Sequence, residues 1–118
     1  MKLLTLFTLL LTTTLYSNSS MQQLYLKNAC NACHGMYGEG IGASPRLQGV
    51  RKEILLRRLV DLQKGKTRSA FGSIMISFAK ALDENQTIAM AQYLSELQPP
   101  ENVERYEIEY EPSGDGGS

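Results

Sequence analysis

The only two cysteines of the chain and its only histidine lie together, in the run Cys30-Asn31-Ala32-Cys33-His34. Two thiols on one short helical turn can each form a thioether with a vinyl group of haem, and a histidine directly after the second can bring its imidazole to the iron. Because all the thiols and imidazoles fall within this motif, the spacing predicts one c-type haem attached through Cys30 and Cys33, with His34 as an iron ligand.

Three other uses of the same residues are less favoured. A redox-active disulfide of the thioredoxin-like kind expects a strand before the motif and a βαβ pattern around it, and the sequence shows neither. A structural zinc site needs a fourth ligand, which two cysteines and one histidine do not supply. A structural disulfide across so short a loop would be strained and would constrain little of the chain. Haem attachment is therefore the leading interpretation.

The second axial ligand of the iron must be another residue type, because the chain has no second histidine. A methionine sulfur, a lysine and an open site are the alternatives. Met36 is too close to His34 to reach the opposite face of the ring, and Met90 falls among apolar positions of the last predicted helix. Met75 stands in a glycine-containing loop, the kind of segment that often supplies functional groups, so it is the preferred ligand, with an ordinary core role as the alternative.

A methionine and a histidine together would determine what the haem does. The thioether favours ferrous over ferric iron and raises the reduction potential, and with both axial positions filled there is no site for a substrate. The sequence therefore predicts a one-electron carrier rather than an enzyme.

Both ends of the chain differ in composition from its centre. A positively charged start and an apolar run as far as Leu15 predict a secretory signal peptide over residues 1–20 and a periplasmic location. The apolar run is shorter than the roughly 20 residues that cross a bilayer, with an uncleaved tether as the alternative. Residues 99–118 form a predicted flexible tail with six acidic residues against one basic residue. One domain over residues 21–98 remains between them.

Helical periodicity dominates this domain, and no confident strand is visible. Helices are expected over residues 21–30 and 51–64, and from the N-cap Asp83, with Gln86 completing a capping box, to Gln98. Residues 66–76 are expected to form a loop. The glycines that follow the haem motif are expected to let the backbone turn where a Cβ would collide with the ring. The predicted fold is all-α, with about four short helices around one covalently bound haem.

The chain resembles small bacterial class I c-type cytochromes of the periplasmic monohaem kind. The resemblance covers about residues 22–98 and rests on motifs in their order: Cys30-x-x-Cys33-His34-Gly35, Gly38-Glu39-Gly40, Pro45-Arg46-Leu47-Gln48-Gly49, Gly65-Lys66-x-Arg68, Met75 before Ala81-Leu82-Asp83-Glu84, and the segment from Ile88 to Leu94. The first motif is highly specific, whereas the others carry weight through their order. The resemblance implies the class I cytochrome c fold, haem c held by Cys30 and Cys33, and iron ligated by His34 and Met75.

The resemblance also implies two residues that support the haem. Pro45 matches the proline whose carbonyl accepts the other ring N–H of the ligand histidine and so fixes its tautomer. Arg68 matches a position that can reach a haem propionate, with a solvated loop charge as the alternative. The implied function is electron transfer between redox partners, as in a respiratory chain. A haem c subunit of a larger periplasmic oxidoreductase, with a flavin or molybdenum partner, is the alternative.

The formal net charge of zero hides an uneven distribution of charge. Residues 46–68 hold eight basic residues against two acidic ones, a net charge of +6, whereas the tail has a net charge of −5. A basic surface near a redox centre can steer an acidic protein partner, and a solvated helix face is the alternative. Nucleic-acid binding is not expected, because the predicted protein is exported and is not basic overall.

Overall fold

Helices make up the regular structure of the described chain. The computed structural model describes residues 17–99, which hold five α-helices and one 3₁₀ helix and, within that range, no strand. The helices are α1 (Asn18–Lys27), α2 (Cys30–His34), α3 (Lys52–Gln63), the 3₁₀ helix Gly72–Ile74, α4 (Met75–Lys80) and α5 (Glu84–Glu96). The all-α prediction is confirmed, with five α-helices where about four were expected. Within the described range, no helix is long and apolar enough to cross a membrane.

The first helix begins earlier than the sequence pattern indicated. α1 starts at Asn18 rather than at residue 21, because the Ser17 side chain caps the helix by accepting a hydrogen bond from the backbone N–H of Ser20 at 3.3 Å. This first turn overlaps the end of the predicted signal peptide. Most of that predicted segment lies outside the described residues, and so does the predicted acidic tail beyond Pro99.

A break in the chain separates α1 from the haem motif. α1 ends at Lys27, and Ala29 has a left-handed backbone conformation with φ of 57°. Left-handed backbone is unfavourable for a residue with a Cβ, so it ends the run of helical hydrogen bonds and redirects the chain. The helix predicted over 21–30 is therefore two helices, and Cys30 begins the second of them.

The two longest helices follow the sequence prediction closely. α3 buries Leu55, which is 2% exposed. α5 begins with the predicted capping box: the Asp83 carboxylate accepts from the backbone N–H of Gln86 at 2.7 Å, and the Gln86 side chain accepts from that of Asp83 at 3.0 Å. α5 ends at Glu96, before the predicted Gln98, because a residue that precedes a proline disfavours the helical conformation.

The segment around Met75 is where the sequence prediction was wrong. A loop was expected over residues 66–76, but the 3₁₀ helix is followed directly by α4, and Met75 is the first residue of that helix. Met75, Phe78, Ala79 and Leu82 recur at the three- and four-residue spacing of one helical face, and all four line the same cavity. The short helix therefore forms because its apolar face has a buried surface to cover.

The core lies between α1, α3 and α5. Tyr25 is fully buried, its ring lies 6.3 Å from that of Tyr93 in a tilted arrangement, and its hydroxyl donates to the Gly35 carbonyl oxygen at 2.7 Å. Burial raises the pKa of Tyr25 above its usual range, so the hydroxyl stays protonated and able to donate. Met90 is 2% exposed and belongs to this core, as predicted. The buried core residues are Met21, Tyr25, Leu55, Leu82, Met90, Ala91, Tyr93 and Leu94.

Gln63, at the end of α3, joins three helices through its side-chain amide. The amide nitrogen lies 3.0 Å from the Ala79 carbonyl oxygen, 3.3 Å from that of Leu82 and 2.8 Å from the hydroxyl of Thr87. The Thr87 hydroxyl in turn donates to the Asp83 carbonyl at 2.7 Å. These contacts supply a donor to the Ala79 carbonyl in the last turn of α4, which also accepts from the Leu82 N–H at 3.2 Å, and to the Leu82 carbonyl just after the helix. Gln63 therefore helps to position the helix that carries Met75.

Replacing Gln63 by leucine should lower the free energy of unfolding by about 1–3 kcal/mol, because partly buried carbonyl oxygens lose their donor. Urea denaturation of the purified protein measures this quantity. Gln92→Leu is the matched control, since the Gln92 amide bonds only Glu96 on the exposed side of α5 and its loss should cost less than about 0.5 kcal/mol. Equal unfolding free energies for the two variants would contradict the role given to Gln63.

Candidate haem site

One cavity is lined by three of the four residues that the sequence marked for haem attachment and iron ligation. Cys30 and His34 from α2 and Met75 from α4 all line it. The remaining lining residues are Tyr25, Asn28, Leu47, Leu59, Phe78, Ala79, Leu82, Met90 and Leu94. All of these except Asn28 are aliphatic or aromatic or carry a thioether. The wall therefore has the apolar character that a porphyrin ring requires.

The imidazole of His34 has one partnered and one unpartnered nitrogen. The residue is 3% exposed, and its Nδ1 lies 2.8 Å from the Pro45 carbonyl oxygen. A carbonyl oxygen can only accept, so Nδ1 must carry the hydrogen and donate it. The other nitrogen, Nε2, is buried and has no hydrogen-bond partner among the described residues. A buried nitrogen with a free lone pair costs stability unless it binds something, so this geometry fits a metal ligand.

The loop after α2 brings the Pro45 carbonyl to His34. The Gly40 backbone N–H donates to the His34 carbonyl oxygen at 2.7 Å, and the Leu47 N–H donates to that of Gly38 at 2.8 Å. Gly40 has φ of 86°, and a Cβ on it would lie 2.9 Å from the Arg46 backbone nitrogen. Glycine is therefore required at position 40 because the backbone of residues 44–46 passes close to it. The sequence analysis had expected the haem ring to be the reason.

The two cysteines occupy different environments on one helical turn. Cys30 is half-buried and lines the cavity, whereas Cys33 is exposed and is absent from the cavity wall. Both sulfurs are free of a disulfide bond. Burial raises the pKa of the Cys30 thiol, and the nearby amide of Asn28 partly offsets this effect. The arrangement leaves one thiol beside the interior of the site and the other at its solvent edge.

Comparison with known proteins agrees with this site. The sequence profile of the family described as Cytochrome c matches residues 21–98. The chain belongs to the cytochrome c family. It is 35% identical over 69 residues to the protein named Cytochrome c-552 of Acidithiobacillus ferridurans. The aligned part covers 58% of this chain but 29% of that relative, so the chain spans less than a third of the relative's length.

Membership of the family confirms several predictions made from the sequence. The resemblance to class I c-type cytochromes is confirmed, and so is the covalently bound haem c with its iron. The fit of the residues is consistent with this, since His34 presents an unpartnered buried nitrogen in the same cavity that Cys30 lines.

The two remaining predicted residues differ in whether they line the cavity. Met75 is half-buried and lines it together with His34. Arg68 is exposed and does not contribute to the wall. Iron ligation by Met75 and propionate binding by Arg68 stay predictions.

Two residues of this cytochrome were missed by sequence reasoning. The Asn28 side chain donates to the Phe78 carbonyl oxygen at 3.1 Å, which ties the residue after α1 to α4. Arg58 is half-buried, and its Nε is buried without a partner. Its position three residues after Leu55 and four before Leu62 puts Arg58 on the flank of the apolar stripe of α3. That spacing was the available signal, but the sequence analysis treated Arg58 only as one charge of the basic 46–68 segment.

Gly40→Ala should destabilise this cytochrome more than Gly42→Ala. Both glycines have positive φ, so each alanine pays a conformational cost of about 1–2 kcal/mol. Only at Gly40 would the new Cβ also meet backbone, because nothing lies within 4 Å of a Cβ at Gly42. Urea denaturation of the haem-loaded variants gives both unfolding free energies. Equal losses of unfolding free energy for the two variants would contradict this prediction, because they would mean that the backbone of residues 44–46 moves away from a Cβ at position 40 without an energetic cost.

Proposed function

We propose that this cytochrome carries single electrons between redox partner proteins, with its haem iron ligated by His34 and Met75. One observation carries the proposal: the unpartnered Nε2 of a buried histidine belongs to a side chain that lines the same cavity as Met75. The iron supplies the redox chemistry by alternating between its ferrous and ferric states. The protein residues determine where the haem is held and which of the two states is favoured.

Cys30 and Cys33 would hold the haem covalently. Each S–H adds across one vinyl group, so that the sulfur bonds to one vinyl carbon and the hydrogen goes to the other. Their positions are compatible with this, because the half-buried Cys30 lines the cavity and the exposed Cys33 lies one helical turn later. The attachment also adds apolar interior to a domain whose own core is small.

The two axial residues would have distinct tasks. The hydrogen bond from His34 Nδ1 to the Pro45 carbonyl holds the imidazole in one tautomer and one orientation and increases its basicity as a ligand. The Met75 thioether favours ferrous iron and so raises the reduction potential. With His34 and Met75 both bound to it, the iron would have no open position for oxygen or a substrate and would supply only electron transfer.

The proposed location is the periplasm. The charged start and the short apolar run as far as Leu15 support export by a signal peptide. The periplasm is an oxidising compartment, where two free cysteines this close together tend to form a disulfide. Covalent attachment to haem would use both thiols and so prevent that disulfide.

The proposed partners are acidic redox proteins. Of the eight basic residues in the 46–68 segment, six are exposed: Arg46, Arg51, Arg57, Lys64, Lys66 and Arg68. Exposed charges of one sign steer an oppositely charged protein and raise the association rate, an effect that salt weakens. The alternative of a haem c subunit in a larger oxidoreductase stays open because the aligned relative is much longer than this chain. Co-purification with a flavin or molybdenum chain would favour that alternative.

Met75→Ala should open the iron to external ligands. We expect the ferrous variant to bind carbon monoxide promptly and its reduction potential to fall, whereas the wild type keeps an unchanged low-spin spectrum under carbon monoxide. Met36→Ala is the control, because Met36 is 51% exposed and lies next to the haem motif. Prompt carbon monoxide binding by the wild type would contradict Met75 ligation and the simple carrier function.

We also propose that Arg58 and Arg68 together bind a haem propionate. The supporting observation is the buried, unpartnered Nε of Arg58. Burial lowers the pKa of Arg58, and the positive charges of Arg68 and Arg57 lower it further, so no carboxylate dominates its surroundings. A half-buried guanidinium beside like charges needs an anion, and a propionate is a carboxylate that the haem itself provides.

Arg58→Gln should lower the reduction potential of the haem-loaded protein, because removing a positive charge beside a propionate makes the added electron less favourable. Arg57→Gln is matched in charge and lies on the same helix, but Arg57 is exposed, so its effect should be smaller and should vanish in high salt. Voltammetry at two ionic strengths separates the variants. Equal and fully screened shifts would exclude Arg58 from the haem environment.

A further inference from the structure

The Asn28 side chain lies between the haem-attachment segment and the helix that begins with Met75. Asn28 is half-buried, and it is the only cavity-lining residue whose side chain is an amide. Its amide nitrogen lies 3.1 Å from the Phe78 carbonyl oxygen and 4.0 Å from the Cys30 sulfur. An amide NH₂ group has two hydrogens, so it can donate to an oxygen and also face a sulfur, which is a weak acceptor. One side chain therefore contacts both an attachment residue and the ligand helix.

The backbone next to Asn28 has a conformation that its own residue types do not favour. Within residues 17–99, Ala29 is the only residue other than glycine with positive φ, at 57°. It follows the C-cap residue of α1, where glycine is usual because a Cβ disfavours left-handed backbone. Backbone strain of this kind persists only where the surrounding structure imposes it. The turn of residues 28–30 is therefore held by its contacts with the rest of the fold.

The Phe78 carbonyl is an acceptor that α4 does not fully use. In a continuing α-helix it would accept from the Leu82 N–H, but that N–H donates to the Ala79 carbonyl at 3.2 Å. The Ala81 N–H reaches the Phe78 carbonyl at 3.3 Å, and the Asn28 amide makes the shorter contact at 3.1 Å. Because α4 has only six residues, a shift of this carbonyl would move the first residue of the helix as well.

Gln63 holds the same end of α4 but from another direction. Its amide contacts the carbonyls of Ala79 and Leu82 and so joins α4 to the end of α3. These contacts do not reach the haem-attachment segment. Among the side-chain hydrogen bonds of the described residues, those of Asn28 alone connect that segment to α4. The two amides therefore have different tasks.

We infer that Asn28 is a positioning residue that couples attachment of the haem at Cys30 to the placement of Met75 on the iron. The inference rests on the proposed ligation by Met75 and extends it. A Cys30 sulfur bonded to the haem has a fixed position, and the Asn28 amide transmits that position to the Phe78 carbonyl and so to α4. Asn28 acts through Met75, so the strength of the bond between the thioether and the iron is the quantity that responds to it.

The experiment measures how readily imidazole displaces Met75 from ferric iron in the haem-loaded full chain. A spectrophotometric titration gives the dissociation constant of imidazole, which falls when the competing thioether is held less firmly. The variants are Asn28→Leu, which removes the amide at similar size, and Asn28→Asp, whose ionised carboxylate has no hydrogen to donate. The control is Asp83→Ala, which removes the capping box of α5 and so lowers stability, although Asp83 does not line the cavity.

We expect both Asn28 variants to bind imidazole about tenfold more tightly than the wild type, the factor that corresponds to the loss of one hydrogen bond. Asp83→Ala should have the imidazole affinity of the wild type while urea denaturation shows it to be less stable. This difference separates placement of Met75 from a general loss of stability.

The coupling to Cys30 is tested in chains that hold the haem through one thioether. In Cys30→Ala the sulfur that the amide contacts is absent, so adding Asn28→Leu should change the imidazole affinity by no more than about threefold. In Cys33→Ala that contact stays, and the change should again be about tenfold. Amide hydrogen exchange of the chain with both thioethers gives a second measurement if Cys30→Ala does not retain haem. There, Asn28→Leu should accelerate exchange in both α2 and α4.

Three results would overturn the inference while the proposed function stands. Asn28 variants with the imidazole affinity of the wild type would give Asn28 no part in placing Met75. An equal gain in affinity for Asp83→Ala would reduce the role of Asn28 to general stability. Equal effects of Asn28→Leu in the two single-thioether chains, or faster exchange in α4 alone, would make the anchoring of α4 independent of Cys30. A wild type that binds imidazole as tightly as Met75→Ala would instead contradict Met75 ligation and the proposed function.

Discussion

The hydrogen bond from His34 Nδ1 to the Pro45 carbonyl is the constraint on which the haem site depends. It assigns the ring hydrogen to one nitrogen and leaves the other, buried Nε2 with a free lone pair. Without a fixed acceptor, the imidazole could rotate or change tautomer, and under the proposed ligation both changes would turn the lone pair away from the iron. The loop that carries Pro45 is in turn anchored to the haem motif by the Gly40 N–H, which donates to the carbonyl of His34 itself. The ligand and its orienting group therefore form one closed unit.

The opposite side of the site depends on packing between helices distant in sequence. α4 has only six residues and could not persist as an isolated helix. The amide of Gln63 satisfies carbonyl groups at its end, and the amide of Asn28 bonds the carbonyl of Phe78 within it. Met75 is thus located by polar contacts from α3 and from the residue after α1. A short helix held in this way would place the proposed Met75 ligand without needing a large core.

Apolar and charged surfaces are separated along the same short segment. The side of α4 toward the cavity is apolar, and so is the exposed tip at Phe71 and Ile74, while the surrounding chain carries only positive charge. Burial in the cavity explains the apolar side of α4, but Phe71 and Ile74 are exposed and do not belong to the core. Under the proposed function, the cavity side of this segment positions the Met75 ligand.

The sequence by itself determined the chemistry of this protein. The Cys30-x-x-Cys33-His34 spacing predicts haem attachment because the two thiols and the proposed ligand lie within one helical turn, and the family comparison confirms haem c. The capping box at Asp83 and the apolar stripe of α3 could be predicted from the sequence for the same reason, since each depends on residues three or four apart. Contacts between segments that are distant in sequence could not be predicted in this way. The helix that begins at Met75, the burial of Arg58 and the bonds of Gln63 arise only when α3, α4 and α5 meet, because their energies come from burial and from hydrogen bonds across the fold.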